Sequence, residues 1–295
     1  MPSTTSSPAR QLRELLAQDR LLVAPGVYDG LSAALVARGG FPAAYLTGAG
    51  VSITLGLPDV GLVTATEMAA RASLVCGLLD VPVIADADTG YGSPINVVRT
   101  VHEYERAGVA AIQFEDQTFP KRCGHLAGKD VVPAEQFAVT LQAALEARRD
   151  PDTVIVARTD ARAPYGLDEA IRRAQRYAEV GADLIFVEAP ESEQELERIA
   201  HEVGAPLLVN VVPGGRTPVL DDDRLAALGY RVAIHPGALL AAAAVAAVAA
   251  VRQLGGEMPE SGAAGPHGLF DLVGLGEWMA IGDSYSDYDE AERAA

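Results

Sequence analysis

The chain has 295 residues, 49% of them hydrophobic and 21% charged, with a mean hydropathy of +0.15, so it carries enough apolar material for a large core. A formal charge of −17 and a pI near 4.6 exclude a nucleic-acid partner, because that affinity rests on clustered cations neutralising phosphates. A small anionic substrate stays open, provided that a local cation or metal site works against the overall field.

The N-terminus, "MPSTTSSPARQLREL", has no apolar signal core, and two cysteines, Cys76 and Cys123, point to a reducing cytoplasm rather than a disulfide framework. From residue 21 onward, short Val, Ile and Leu runs alternate with helical patterns, the mark of βα units and a parallel sheet. Strands are expected at 21–25, 43–48, 81–88, 110–116, 153–160, 184–190, 206–212 and 231–237. Helices are expected at 29–39, 66–79, 94–107, 134–149, 168–180, 192–203, 221–228 and 238–254. Several end on "ARGG", "RAGV" or "EVGA", where Gly takes the left-handed cap. Eight strands each followed by a helix describe a (β/α)8 TIM-type barrel over residues 1–255, with an open doubly wound sheet as the alternative. The apolar run 238–251 is too short for a membrane span and reads as a buried or interface helix. A C-terminal extension, 256–295, carries one further helix near 268–281 whose apolar face needs a covering surface.

Nearly every expected strand ends in a polar group, and in a parallel barrel those ends share the rim where active sites are built. Asp86 and Asp88 in "IADADTGYG" stand two apart, so a strand would aim both carboxylates to one side. A hard cation such as Mg2+ resolves their repulsion; the alternative is that they cap the following turn. Asp59 in "LGLPDVG" and Glu115 in "FED" can join that site through water. The stretch "FEDQTFPKRCGHLAGKD" reads as a long βα loop of the kind that forms lids. Within it, Lys121, Arg122 and His125 would lower the pKa of Cys123, and Gly124 and Gly128 would let the loop fold over a ligand. The alternative is a solvated basic loop. Cys76, in "ASLVCGLL", reads as core. Arg158 in "VARTD" suits a substrate carboxylate bidentately, or else a structural pair with Asp160 or Glu188. "LTGAG" offers Thr47 and backbone amides, a weak signal by itself.

Taken in order, "YLTGAG", "LGLPD", "DADTGYG", "FEDQ", "KRCGHLAGK", "ARTDA", "FVEAP" and "NVVPGGRTP" resemble the isocitrate lyase/phosphoenolpyruvate mutase superfamily over about residues 10–255. Within it the chain is most similar to the methylisocitrate lyases and related short lyases. The resemblance implies the barrel, a C-terminal helix swapped between subunits of a homotetramer, and Mg2+ (or Mn2+). It implies that Asp86 and Asp88 are the metal acids, supported by Asp59 and Glu115, and that Cys123 is the catalytic acid. Thr47, Gly48 and Ala49 match the segment that holds a 2-oxoacid, and Gly124, Arg158, Glu188 and Asn210 match substrate-binding positions. The chain departs from the pattern at Thr47 and Ala49, at Gln113 where His is usual, and at Pro213. The implied reaction is cleavage of a 2-hydroxy di- or tricarboxylate, with Cys123 protonating the enolate-like fragment and Tyr45 as the candidate hydroxyl base. The alternatives are a phosphonate or carboxyphosphonoenolpyruvate-type mutase, an oxaloacetate hydrolase, and a non-catalytic barrel.

Overall fold

The computed structural model describes residues 6–258, apart from 125 and 127, and residues 265–293. His125 lies outside the described residues. After helix α1 (Pro8–Leu16), strands and helices alternate: β1 (Leu22–Val27), α2 (Gly30–Gly39), β2 (Ala44–Leu46), α3 (Gly48–Thr54), α4 (Ala65–Cys76), β3 (Val83–Asp86), α5 (Pro94–Ala107) and β4 (Ala111–Glu115). There follow α6 (Ala134–Ala147), β5 (Val154–Thr159), α7 (Arg162–Tyr165), α8 (Leu167–Val180), β6 (Leu184–Val187), α9 (Glu193–Glu202), β7 (Leu207–Asn210), α10 (Asp222–Leu228), β8 (Val232–His235) and α11 (Ala238–Gln253). The eight strands are all parallel and close in chain order, β1 meeting β8 through Leu22 to Pro25 against Val232 to His235. Closure decides between the barrel and the open sheet.

Both faces of each strand are buried, and the period of two sorts their side chains. Leu22, Ala24, Tyr45, Ile84, Val154, Val156, Leu184, Phe186, Leu208, Val232 and Ile234 share the barrel interior. The alternate set, among them Leu46, Ala85, Ile112, Ile155, Ile185 and Val209, packs against the helical layer. Each strand then places its next inward position at the rim: 84 leads to Asp86, 156 to Arg158, 186 to Glu188 and 208 to Asn210.

Four elements differ from the sequence expectation, the short α7 after β5 among them. Helix α1 starts on the Ser7 cap and Pro8, and its Leu12 is buried in the same cluster as the barrel interior. Its Arg13 reaches Asp183 at 2.9 Å, which fixes α1 to the barrel wall. The "LTGAGVSIT" stretch is a helix rather than a turn, because Thr47 caps the amide of Gly50 and outweighs the poor helix propensity of glycine. The tail is two helices, α12 (Gly265–Asp271) and α13 (Leu275–Arg293), where one was expected. Gly274, at φ 77, breaks it between them. Phe270 and Leu275 are buried with Leu126, and Ala49, Ile53 and Cys123 pack against them, so the tail covers one side of the barrel mouth. Among the described residues no helix is long and apolar enough to cross a membrane.

Candidate active site

A cavity of about 670 Å3 opens at the C-terminal ends of the strands. One half is polar and takes Asp86, Glu115, Arg158, Glu188 and Asn210 from the strand ends with Asp59 and the loop segment Lys121 to Gly124. The other half is apolar, walled by Val212, Pro213, Leu240, Val245, Leu269 and Phe270. Residues from nine separate stretches of chain therefore meet in one pocket, as the rim argument expected.

The two aspartates reach the site by different means. Strand β3 ends at Asp86, and Asp88 arrives through left-handed backbone, φ 47, which non-glycine residues rarely adopt, rather than through strand alternation. The Asp88 amide donates to Asp86 Oδ1 at 3.1 Å, and Gln113 donates to the same oxygen at 3.3 Å. Gly48, at the start of α3, lies against this pair: a Cβ there would fall 2.8 Å from Asp86 Oδ2. Thr47 and Ala49 flank it in the cavity wall.

Lys121 stands elsewhere than the sequence reading put it. Its ammonium is buried 2.5 Å from Asp59 Oδ1 and 2.7 Å from Asp88 Oδ1, so its charge is paired with the acid cluster. Burial, Asp86 and Asp59 push the Asp88 carboxyl up to about 7, against the pull of Lys121. Burial pushes Glu115 up as well, with Arg158 opposing it.

Asp88 Oδ1 and Glu115 Oε1 are buried without a hydrogen bond of acceptable geometry, and Asn210 Oδ1 is a third such acceptor. A buried Glu115 oxygen left without a hydrogen bond, in an all-oxygen donor set with one ammonium among four acids, fits a hard divalent cation. Among the described residues no three His, Cys, Asp or Glu side chains converge closely enough to enclose a metal by themselves.

On the opposite side, Arg158 makes the bidentate pair with Asp160, at 2.8 Å and 3.0 Å, and faces Glu115 at 3.4 Å. The structural alternative for Arg158 is thus present, yet the guanidinium still lines the cavity and can offer further N–H groups to a carboxylate. Asn210 donates to Glu188 Oε2 at 3.4 Å.

The loop after β4 lies over this arrangement. Gln117 closes its neck by an antiparallel bridge to Val131 and clamps Arg122 through its backbone amide and carbonyl, at 2.9 Å and 2.8 Å. The Cys123 amide donates to the Asp59 carbonyl at 3.1 Å, which turns the thiol-bearing residue into the cavity lining beside Asp86 and Glu115. Gly124 sits so close to Arg158 and Glu188 that any Cβ there would collide with both. Tyr45 is buried and donates to Gln113 at 3.3 Å. Burial and the neighbouring Asp86 push its phenol well above the usual range, the wrong direction for a base. That direction does not favour Tyr45 as the group that takes the hydroxyl proton. Lys129 has no role in the sequence reading and Asp160 only that of a possible structural partner of Arg158, yet both are tied into this site. The signal for Lys129 was available: the chain contains two lysines, Lys121 and Lys129, and both fall in this loop.

With that geometry in hand, the relatives are informative. Residues 12–254 match the family described as phosphoenolpyruvate phosphomutase. The chain belongs to this phosphoenolpyruvate mutase/isocitrate lyase superfamily. It is 50% identical over 241 residues to 2,3-dimethylmalate lyase of Eubacterium barkeri, covering 81% of this chain and 83% of that one. It is 47% identical over 247 residues to 2-methylisocitrate lyase of Aeropyrum pernix, covering 84% and 80%. Among solved structures, a 2,3-dimethylmalate lyase superposes with a TM-score of 0.82 at 38% identity, covering 96% of each chain. A phosphonopyruvate hydrolase complexed with oxalate and Mg2+ superposes with a TM-score of 0.75 at 30% identity, covering 95% of this chain and 99% of that one.

Proposed function

We propose that this chain is a Mg2+-dependent (or Mn2+-dependent) lyase that cleaves the carbon–carbon bond of a 2-hydroxy carboxylate, releasing a 2-oxoacid such as pyruvate and a carboxylate such as succinate. The observation that carries it is a cysteine-bearing lid lining the same cavity as Asp86, Glu115, Arg158 and Asn210. Asp86 and Asp88 would hold the cation, with Asp59 and Glu115 acting through water, and the ion would supply charge stabilisation for an enolate-like fragment. Arg158 and Asn210 bind and orient a substrate carboxylate, and Glu188 keeps Asn210 in place. Thr47, Gly48 and Ala49 line the side where the 2-oxoacid part lies against the acids. As the substrate hydroxyl gives its proton to a carboxylate of the acid cluster and its electrons close the C=O of the 2-oxoacid, the C–C bond breaks, its electron pair goes to the departing carboxylate fragment, and that carbon takes the proton of the Cys123 thiol, which the released hydroxyl proton later restores. The Gly124 turn packs on Arg158 and Glu188 and excludes water from that step.

The apolar half of the cavity, walled by Val212, Pro213 and Val245, suits the alkyl part of such a substrate. The same reading carries a homotetramer with tails exchanged between subunits, which the exposed Trp278, Ile281 and Tyr285 of α13 support.

The test is a substrate panel of 2,3-dimethylmalate, 2-methylisocitrate, oxaloacetate and phosphonopyruvate, read by 2-oxoacid release and phosphorus NMR, with and without EDTA. Metal-dependent release from the first two supports the lyase. Turnover confined to phosphonopyruvate or oxaloacetate moves the chain to the mutase or hydrolase branch, and no turnover and no Mg2+ binding leaves a binding barrel.

A further inference from the structure

Lys129 has no part in the chemistry described above, yet its side chain is only 3% exposed. We propose that Lys129 is a positioning residue that couples closure of the Cys123 lid to the carboxylate-binding arginine. Its ammonium hydrogen-bonds the carbonyl of Gly124 at the lid tip and lies 3.1 Å from Asp160 Oδ1 at the end of β5. That same oxygen accepts from Arg158 Nη2 at 3.0 Å, while Asp160 Oδ2 accepts from Arg158 Nε at 2.8 Å. One buried carboxylate is thus shared between the lid's lysine and the site's arginine.

The arrangement has a directional consequence. The neck of the loop is held without Lys129, by the Gln117 bridge to Val131 and by the Thr118 amide donating to Asp130 at 2.9 Å. The tip is held on one side by the Cys123 amide on Asp59 and on the other by Lys129. If the tip lifts, the ammonium loses its carbonyl and keeps Asp160 alone; when the tip closes, Gly124 returns to its place over Arg158 and Glu188. A lysine suits this task, because a compact charge on a flexible stem can follow a moving carbonyl, whereas a guanidinium would compete for Asp160 as a bidentate fork. Removing the ammonium leaves Asp160 paired with Arg158, so the barrel end stays intact while the tip loses an anchor.

The proposal rests on Arg158 holding a substrate carboxylate and on the lid acting in turnover. Its test is Lys129→Met, which keeps the length of the side chain and removes the charge. The expected result is a fall in kcat of at least about tenfold with KM within about threefold of wild type, since the closed state and not ground-state binding is lost. Amide hydrogen exchange without ligand should accelerate at least about tenfold at Cys123 and Leu126, while strands β4 and β5 exchange as in wild type. If β4 and β5 also accelerate, Lys129→Ala, which removes the donor without packing an apolar chain against Asp160, takes the place of the methionine variant. Lid exchange within twofold of wild type overturns the proposal, as does a rise in KM with kcat preserved. A wild-type protein without lyase turnover overturns the functional reading instead, and the exchange comparison still decides the role of Lys129.

Discussion

Glu115 and Asp116 are chain neighbours with the same charge, both buried at the end of one strand, and the pleat sends them opposite ways. Asp116 faces the helical layer. Its Oδ1 accepts from the Asp160 amide at 2.9 Å, and its Oδ2 accepts from Thr159 at 2.7 Å, Tyr177 at 2.8 Å and Arg173 at 3.0 Å. Glu115 faces the cavity, where Arg158 lies at 3.4 Å from one oxygen and the other has no hydrogen bond. A carboxylate whose lone pairs are met by the fold holds the fold together. One whose lone pairs are left over at a rim is kept for a ligand, at a cost in desolvation that a structural role would not justify. The outward network also steadies the inward site, because the Asp116 partners Thr159 and Asp160 flank and grip Arg158.

The contrast can be broken from either side. The largest effect is expected from Asp86→Ala, which should cut turnover by about a thousandfold, the scale of losing a main source of transition-state charge stabilisation. Release of 2-oxoacid measures it. Cys123→Ser should cost about a hundredfold in kcat, the typical worth of a positioned proton donor, while leaving Mg2+ binding and thermal stability unchanged. Two stability variants sharpen the distinction. Lys121→Met strands buried acids and should lower stability by about 3 kcal/mol in urea unfolding without divalent cations, with part recovered on adding Mg2+. Asp116→Asn should cost about 2 kcal/mol, by replacing one acceptor oxygen of the network and leaving Arg173 with Glu169 as its charge partner, and Mg2+ should recover none of it. As the smallest effect, Thr64→Ala removes the capping box at the start of α4 and should cost about 1 kcal/mol, with kcat unchanged.

The eight strands and the helices that follow them could be read from periodicity, because strands buried on both faces appear as continuous apolar runs and their helices end on glycine. The rim residues could be read as well, since strand ends in such a sheet share one side. What stayed hidden was tertiary. The pairing of Lys121 with Asp59 spans 62 positions along the chain, and no local pattern announces it. Within "KRCGH" the neighbouring cations suggested an activated thiol, but the backbone turns the first of them away into the acid cluster. Asp88 was assigned to the site for a reason that does not hold, because the strand ends two residues earlier and a left-handed residue does the aiming. Helix α3 was hidden by its glycines, whose low propensity is overridden by the Thr47 cap and by burial of Val51 and Ser52.

The apolar wall of the cavity belongs to Val212, Pro213, α11 and α12, all of them after β7, whereas the acids, the arginine and the thiol all precede β7. Reactivity and appetite are thus written in separate stretches of chain. Drift in the later stretch can widen, narrow or recharge the entrance while the bond-breaking apparatus is left as it was.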